Sequence, residues 1–175
     1  MVFLIQQTLL FAVPLMIVAL AGVCAERSGV INLALEGIMI FGAFIGVLFI
    51  RTMQEMNLFD KEQGQILMVL TLFVAAICGS IFSLLLAFSA INLKADQTIS
   101  GTGINLLAAG ITVFACQRIY GTDRSTEFKM GMVKDGLGFY PTLYIAIVVV
   151  VLAWFLLYKT PFGMHLRACG EHPAA

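Results

Sequence analysis

The chain is built from long apolar blocks separated by short polar ones. A helix crossing the ~30 Å hydrocarbon layer needs about 20 apolar residues. The first block, about Val2–Ala25, meets that length. Pro14 lies inside it and is expected to kink it, which membrane helices tolerate when neighbours satisfy the freed carbonyl. The third block, about Ile66–Ile91, would extend roughly 39 Å and so has room to tilt. The fifth, about Tyr140–Tyr158, carries Tyr140, Tyr144, Trp154 and Tyr158 near its two ends, as interfacial belts do.

The second and fourth blocks are shorter. After Gly37 the clean apolar run stops at Ile50, so about 14 residues reach roughly 21 Å. From Leu106 to Cys116 about 11 residues reach roughly 16 Å. To cross, each must draw in the polar residues before it, which predicts Asn32, Glu36 and Asn105 at or within membrane depth. A carboxylate at the bilayer centre costs roughly 2.5–3.5 kcal/mol on insertion scales, so such groups usually face a bundle interior or a cavity. For Glu36, a cavity position and an interfacial position both stand.

The two short blocks share a pattern. "SGVINLALEGIMIF" at Ser28–Phe41 and "SGTGINLLAAGITVF" at Ser100–Phe114 both read I-N-L-x-x-x-G-I-x-x-F when set on their asparagines. The triplet alone is weak, since it recurs at Ile91–Leu93 without the later glycine. Gly29, Gly101 and Gly103 precede the two asparagines and allow irregular backbone before a helix begins. Ser28, Ser100 and Thr102 are N-cap residue types. The expectation is two helices that start inside the membrane; short, glycine-interrupted spans in matching positions point to a transporter's binding site. Gly42 and Gly46 form a GxxxG, which reads as helix packing.

Composition agrees with this class. The chain has 175 residues, 61% hydrophobic and 11% charged, with a mean hydropathy of +1.00. A soluble domain is about 45–50% apolar and about 25% charged. The predicted fold class is therefore an all-α polytopic membrane protein of about five transmembrane helices, two of them short or discontinuous. Val2–Ala25 lacks a basic leader region and further apolar blocks follow, so it reads as a retained span. A net charge of zero offers no footprint for nucleic acid. Cys24, Cys78, Cys116 and Cys169 are scattered, without a CxxC pair, and read as small hydrophobes. His165 and His172 lie in the polar tail, with no metal-ligand spacing around them.

With five simple spans, one side of the membrane collects Arg27, Lys94, Lys159 and Arg167. The other collects Arg51, Lys61, Arg118, Arg124, Lys129 and Lys134, a small excess that marks it as cytoplasmic. The tail, "YKTPFGMHLRACGEHPAA", breaks the fifth helix at Pro161 and Gly163. It continues as a short amphipathic helix with Met164, Leu166 and Cys169 against Lys159, Arg167 and Glu171, suited to a membrane surface or a partner's groove.

Three blocks, "ERSGVINLALEGIMIFGAFIG", "ADQTISGTGINLLAAGIT" and "TPFGMHLRACGEHPAA", together resemble the permease subunit of bacterial ABC importers, nearest the nucleoside and simple-sugar group and more distantly the branched-chain amino acid permeases. The blocks occur in the family's order and cover most of the chain. The resemblance implies a pore in the cytoplasmic membrane with no enzyme activity or cofactor of its own. Its implied partners, besides the lipid bilayer, are a second permease subunit, an ATP-binding cassette ATPase that binds the ATP, and a substrate-binding lipoprotein or periplasmic protein. No nucleic acid is involved. The tail resembles the coupling loop that sits on the ATPase, with Pro161, Gly163, Leu166, Arg167, Gly170 and Glu171 matching the motif. That makes the tail cytoplasmic, against the charge excess, and the motif outweighs so small an excess. Family members continue well past this loop, so residues 1–175 are expected to be the N-terminal portion of one permease domain, ending in the coupling loop at 159–175.

Asn32, Glu36, Thr102 and Asn105 are the candidate pathway residues. Amide and hydroxyl groups suit a neutral, hydroxylated solute, which fits nucleosides and simple sugars such as ribose alike; the resemblance favours nucleosides. Two other classes stay open, a non-transporting structural membrane protein and an ion-coupled secondary transporter, which would leave the tail motif without a purpose. An enzyme is disfavoured, since no nucleophile–base pair or metal cluster lies inside the spans.

Overall fold

The computed structural model describes residues 2–56, 64–123 and 141–171. Tyr140, Lys61, Arg124, Lys129, Lys134 and His172 lie outside them. The regular elements among the described residues are helices: α1 Val2–Arg27, α2 Leu35–Glu55, α3 Gly64–Ile91, α4 Gln97–Tyr120, α5 Pro141–Lys159 and α6 Pro161–Glu171. The first five are long and apolar enough to cross a membrane. The chain is an all-α polytopic membrane protein. It forms two compact units, one from Met1–Asn32 with Val133–Ala175 and one from Leu33–Met132.

The second unit is a bundle of α2, α3 and α4. A side chain added to Gly46 would meet Thr71, one added to Gly42 would meet Ala75, and Gly79 faces Ile38. The pairing falls along α3 as it rises along α2, so the two helices are antiparallel. The Gly42–Gly46 pair serves helix packing, as its spacing predicts. The core gathers Ala34, Phe82, Leu86, Ile104 and Ala108, with Ile38 and Phe41 packed against it. The Phe41 and Phe82 rings stack at 4.4 Å.

The second and fourth helices are neither short nor broken. At 21 residues and 24 residues, they extend roughly 31 and 36 Å. The apolar runs understated both because polar side chains ride inside the helices with their hydrogen bonds met. Arg51 continues α2 past Ile50 by pairing with Glu55 at 2.8 Å and lying 4.4 Å over the Tyr120 ring. Ser100 lies within α4 and shares a 2.7 Å bond with Ser89 of α3. Ser100 and Thr102 are therefore not N-caps. The cap of α4 is Asp96, whose Oδ1 accepts from the N–H groups of Thr98 at 2.7 Å and Ile99 at 3.3 Å.

In the first unit α1 packs on α5, and α6 packs on both. Among the described residues, Val13, Ala146 and Leu157 are its buried apolar ones. Ser28 and Gly29 close α1 and do not open α2. The Gly29 N–H donates to Glu26 O at 3.0 Å and the Val30 N–H to Ala25 O at 3.2 Å, with Gly29 at φ +80. That bond pair is a Schellman ending, which needs a residue tolerant of the left-handed region.

The two N–H bonds to Asp96 hold its carboxyl below the ordinary 3.8, the bond from Thr98 contributing most. A lowered folded-state value means the stabilisation is complete above the ordinary value and is lost as pH falls through the folded one. Asp96→Ala is expected to lower the thermal midpoint in detergent at neutral pH, and Asp96→Asn to keep most of it. The gap between wild type and Asp96→Ala should close as the pH drops below 3.8, as followed by thermal unfolding.

Candidate functional site

The start of α2 lacks a cap of its own. Its cap position is Ala34, with no side-chain oxygen to offer, while the first N–H groups of any helix need partners from outside it. Asn105 of α4 supplies one. Its Oδ1 accepts from the Gly37 N–H at 2.7 Å, and its Nδ2 donates to the Leu33 carbonyl at 2.8 Å. One amide thus bridges a free donor and a free acceptor at the same helix start. The approach requires Gly37 to lack a side chain. A Cβ there would sit 2.8 Å from Asn105 Oδ1, 2.9 Å from Asn105 Cα and 3.1 Å from Ile104 O. Gly101 does the same one turn earlier in α4, where a Cβ would lie 3.0 Å from Leu33 Cβ and 3.2 Å from Ala34 N.

The repeated I-N-L-x-x-x-G pattern is thereby explained in part. From Leu33 onward the first copy packs against the second, small residue to backbone, and Asn105 of the second bonds into the first. Their local structures differ: Ile31, Asn32 and Leu33 precede α2, whereas Ile104, Asn105 and Leu106 lie well inside α4.

The other pathway candidates stand differently. Asn32 is half-buried ahead of Leu33, while Glu36 is exposed in the first turn of α2, where the helix dipole favours a negative charge. Thr102 is exposed on α4 and donates its hydroxyl hydrogen to the Thr98 and Ile99 carbonyls, at 3.1 and 2.9 Å. The surface grooves formed by described residues of the bundle include two. One, about 280 Å³, is lined by Phe41, Cys78, Ile81, Phe82 and Leu85. The other, about 190 Å³, runs along Ile40, Phe44, Val47, Thr112 and Cys116. Neither takes in Asn32, Glu36, Thr102 or Asn105.

At the tail, Thr160 joins two helices with one hydroxyl. It donates to Leu156 O at the end of α5 at 2.5 Å and accepts from the Gly163 N–H in α6 at 3.3 Å. Pro161 occupies the first helical position, where its missing N–H costs nothing. Gly163 does not break the helix. It is buried within α6, and a side chain there would collide with the Leu156 and Leu157 carbonyl oxygens. Arg167 turns back on its own chain, donating to Gly163 O at 3.3 Å and lying 5.1 Å over the Tyr158 ring.

The tail motif residues therefore divide. Gly163 is buried, Leu166, Arg167 and Gly170 are half-buried, and Pro161 and Glu171 are exposed. Met164 and Cys169 are exposed, so they do not form a buried apolar face with Leu166. The outward apolar groups are Phe162 and Met164, at 61% and 59% exposure. Phe162 is absent from the sequence-based candidates. The available signal was the seven-residue spacing of Gly163 and Gly170, which marks the face of α6 pressed against backbone and so turns Phe162 and Met164 away from it.

Residues 4–175 match the family model described as the permease component of the branched-chain amino acid transport system. The chain belongs to this permease family. Among curated proteins it is 44% identical to the guanosine ABC transporter permease protein NupQ of Bacillus subtilis, over 98% of this chain and 57% of that protein. It is 33% identical to the nucleoside ABC transporter permease protein NupC of Lactococcus lactis, over 98% of this chain and 57% of that one. The putative glucose ABC transporter permease protein TsgC13 of Haloferax volcanii is 31% identical, over 97% of this chain and 52% of its own length. The chain thus spans about half the length of the curated relatives it matches. No solved structure matches it. Family and apolar helices together make it a multi-pass protein of the cell membrane.

Asn105→Leu removes both bonds of the bridge and is expected to cost about 0.6–1.7 kcal/mol, the range of hydrogen bonds between membrane helices. Gly37→Ala is expected to cost about 1–3 kcal/mol by overpacking. The two act on one contact, so the double variant should lose less than the sum. Denaturant unfolding in mixed micelles measures all three.

Proposed function

We propose that this chain is the N-terminal portion of the permease subunit of an ATP-binding cassette importer that moves nucleosides into the cell. The observation that carries the reading is the 44% identity, over nearly the whole chain, to a permease named for guanosine. The second nucleoside permease supports it independently.

In this reading the solute crosses by alternating access, and ATP is bound and hydrolysed by a separate cassette subunit, so the permease needs no cofactor. A second permease subunit completes the pore, and a lipoprotein or periplasmic protein delivers the solute. α6 is the cytoplasmic coupling helix. Its outward apolar groups, Phe162 and Met164, enter the ATPase groove, flanked by Pro161 and Glu171. Gly163, Leu166, Arg167 and Gly170 hold the helix against the rest of its own unit.

The pathway assignment follows the hydrogen bonding. Asn105 already spends its amide oxygen on Gly37 and one amide hydrogen on Leu33. It serves to hold the start of α2, so the pathway reading rests on the exposed Glu36 and on Thr102, whose hydroxyl oxygen can still accept while its hydrogen goes to its own helix, with Asn32 a few residues earlier in the chain. A sugar permease is the second reading, favoured by the relative named for glucose.

The test is the complete permease, expressed with its neighbouring ATPase and binding protein and reconstituted in vesicles. Nucleosides are expected to stimulate ATP hydrolysis and to be taken up. Stimulation by ribose or glucose with no response to nucleosides would transfer the assignment to sugars. Phe162→Asp with Met164→Asp should lower ATPase co-purification at least about tenfold, as loss of an interface anchor does. Undiminished co-purification would remove α6 from the interface.

A further inference from the structure

Both ends of α6 are gripped by backbone. At its start, Gly163 sits against the Leu156 and Leu157 carbonyls of α5. Near its end, Gly170 sits against the end of α1: a Cβ there would lie 2.5 Å from Arg27 O, 3.0 Å from Gly29 N and 3.1 Å from Arg27 C. The contact is reciprocal, since a Cβ on Gly29 would lie 3.1 Å from Gly170 Cα. Two main chains therefore touch with no side chain between them.

The α1 side of this contact is stiff. The Schellman bonds tie Gly29 and Val30 back to Glu26 and Ala25, and the Ser28 hydroxyl donates to Ala25 O at 2.6 Å. A contact made through long side chains yields when a rotamer changes. A contact between close-packed main chains has no such freedom and transmits displacement.

We propose that Gly29 and Gly170 are positioning residues whose backbone joint makes α6 move as one body with the end of α1, so that a push on Phe162 and Met164 reaches the transmembrane helices. The inference rests on the reading of α6 as the ATPase-docking helix.

The joint and the turn are separable by substitution. Asparagine tolerates the left-handed region, so Gly29→Asn keeps the turn but puts a Cβ against Gly170. Gly121 is the control: it too has positive φ, at +70, but among the described residues nothing lies within 4 Å of a Cβ. In the complete reconstituted importer, Gly121→Asn should leave nucleoside uptake per assembled complex within about twofold of wild type. Gly29→Asn and Gly170→Ala should each lower it at least about fivefold, the lower end of what overpacking a contact costs. Co-purification with the ATPase and basal ATP hydrolysis should persist in Gly29→Asn.

Normalising to assembled complex keeps the outcome decisive if a variant is made in smaller amounts. Unchanged uptake per complex in both joint variants overturns the proposal. So does a parallel fall in uptake and basal hydrolysis, which marks a merely structural role. A wild-type complex that neither binds an ATPase nor takes up nucleoside sinks the importer reading instead, and is seen before any variant is made.

Discussion

The first N–H groups and last C=O groups of a helix have no partner within it, and the helix ends of this chain are organised around supplying one. The solutions differ in their reach along the sequence. α1 ends through its own backbone, in the Gly29 turn. α4 begins on its immediate neighbour, Asp96. α5 and α6 share Thr160, one hydroxyl between two helices. α2 begins on Asn105, 68 positions from the Gly37 N–H it satisfies. The last solution makes a helix start depend on tertiary structure, and it brings α2 and α4 into the contact on which the core of that bundle is built.

Glycine makes these solutions possible by letting backbone approach backbone. Gly37 and Gly101 admit α4 to the start of α2, and Gly163 and Gly170 admit α6 to the ends of α5 and α1. Between membrane helices the hydrophobic effect offers little preference for helix over lipid, so close van der Waals contact and hydrogen bonds must carry association. The stacked Phe41 and Phe82 rings and the Ser89–Ser100 bond belong to the same economy of contacts.

Much of this was legible in the residues. The five spans follow from block length and composition, and the short tail helix from Pro161 and the amphipathic run after it. The family was legible from three motif blocks taken together. Apolar runs understate the second and fourth spans, because such a run measures where polar residues begin, not where a helix ends. Arg51 stays helical by pairing with Glu55 and Tyr120, and Thr102 by bonding to carbonyls of its own helix. A Ser-Gly pair between two apolar blocks can close the first or open the second, and Ser28 and Gly29 close α1.

The sequence by itself determined the membrane class, the number of spans, the tail helix and the family, since each depends on local composition or on a contiguous motif. Only the tertiary structure decided which polar residues are spoken for. Asn105 is shown to hold another helix, and Gly163, Arg167 and Gly170 are turned inward while Phe162 and Met164 face out. The reason is physical: a hydrogen bond spanning 68 positions and a main-chain contact between glycines depend on distances across the fold, which no local stretch of residues encodes.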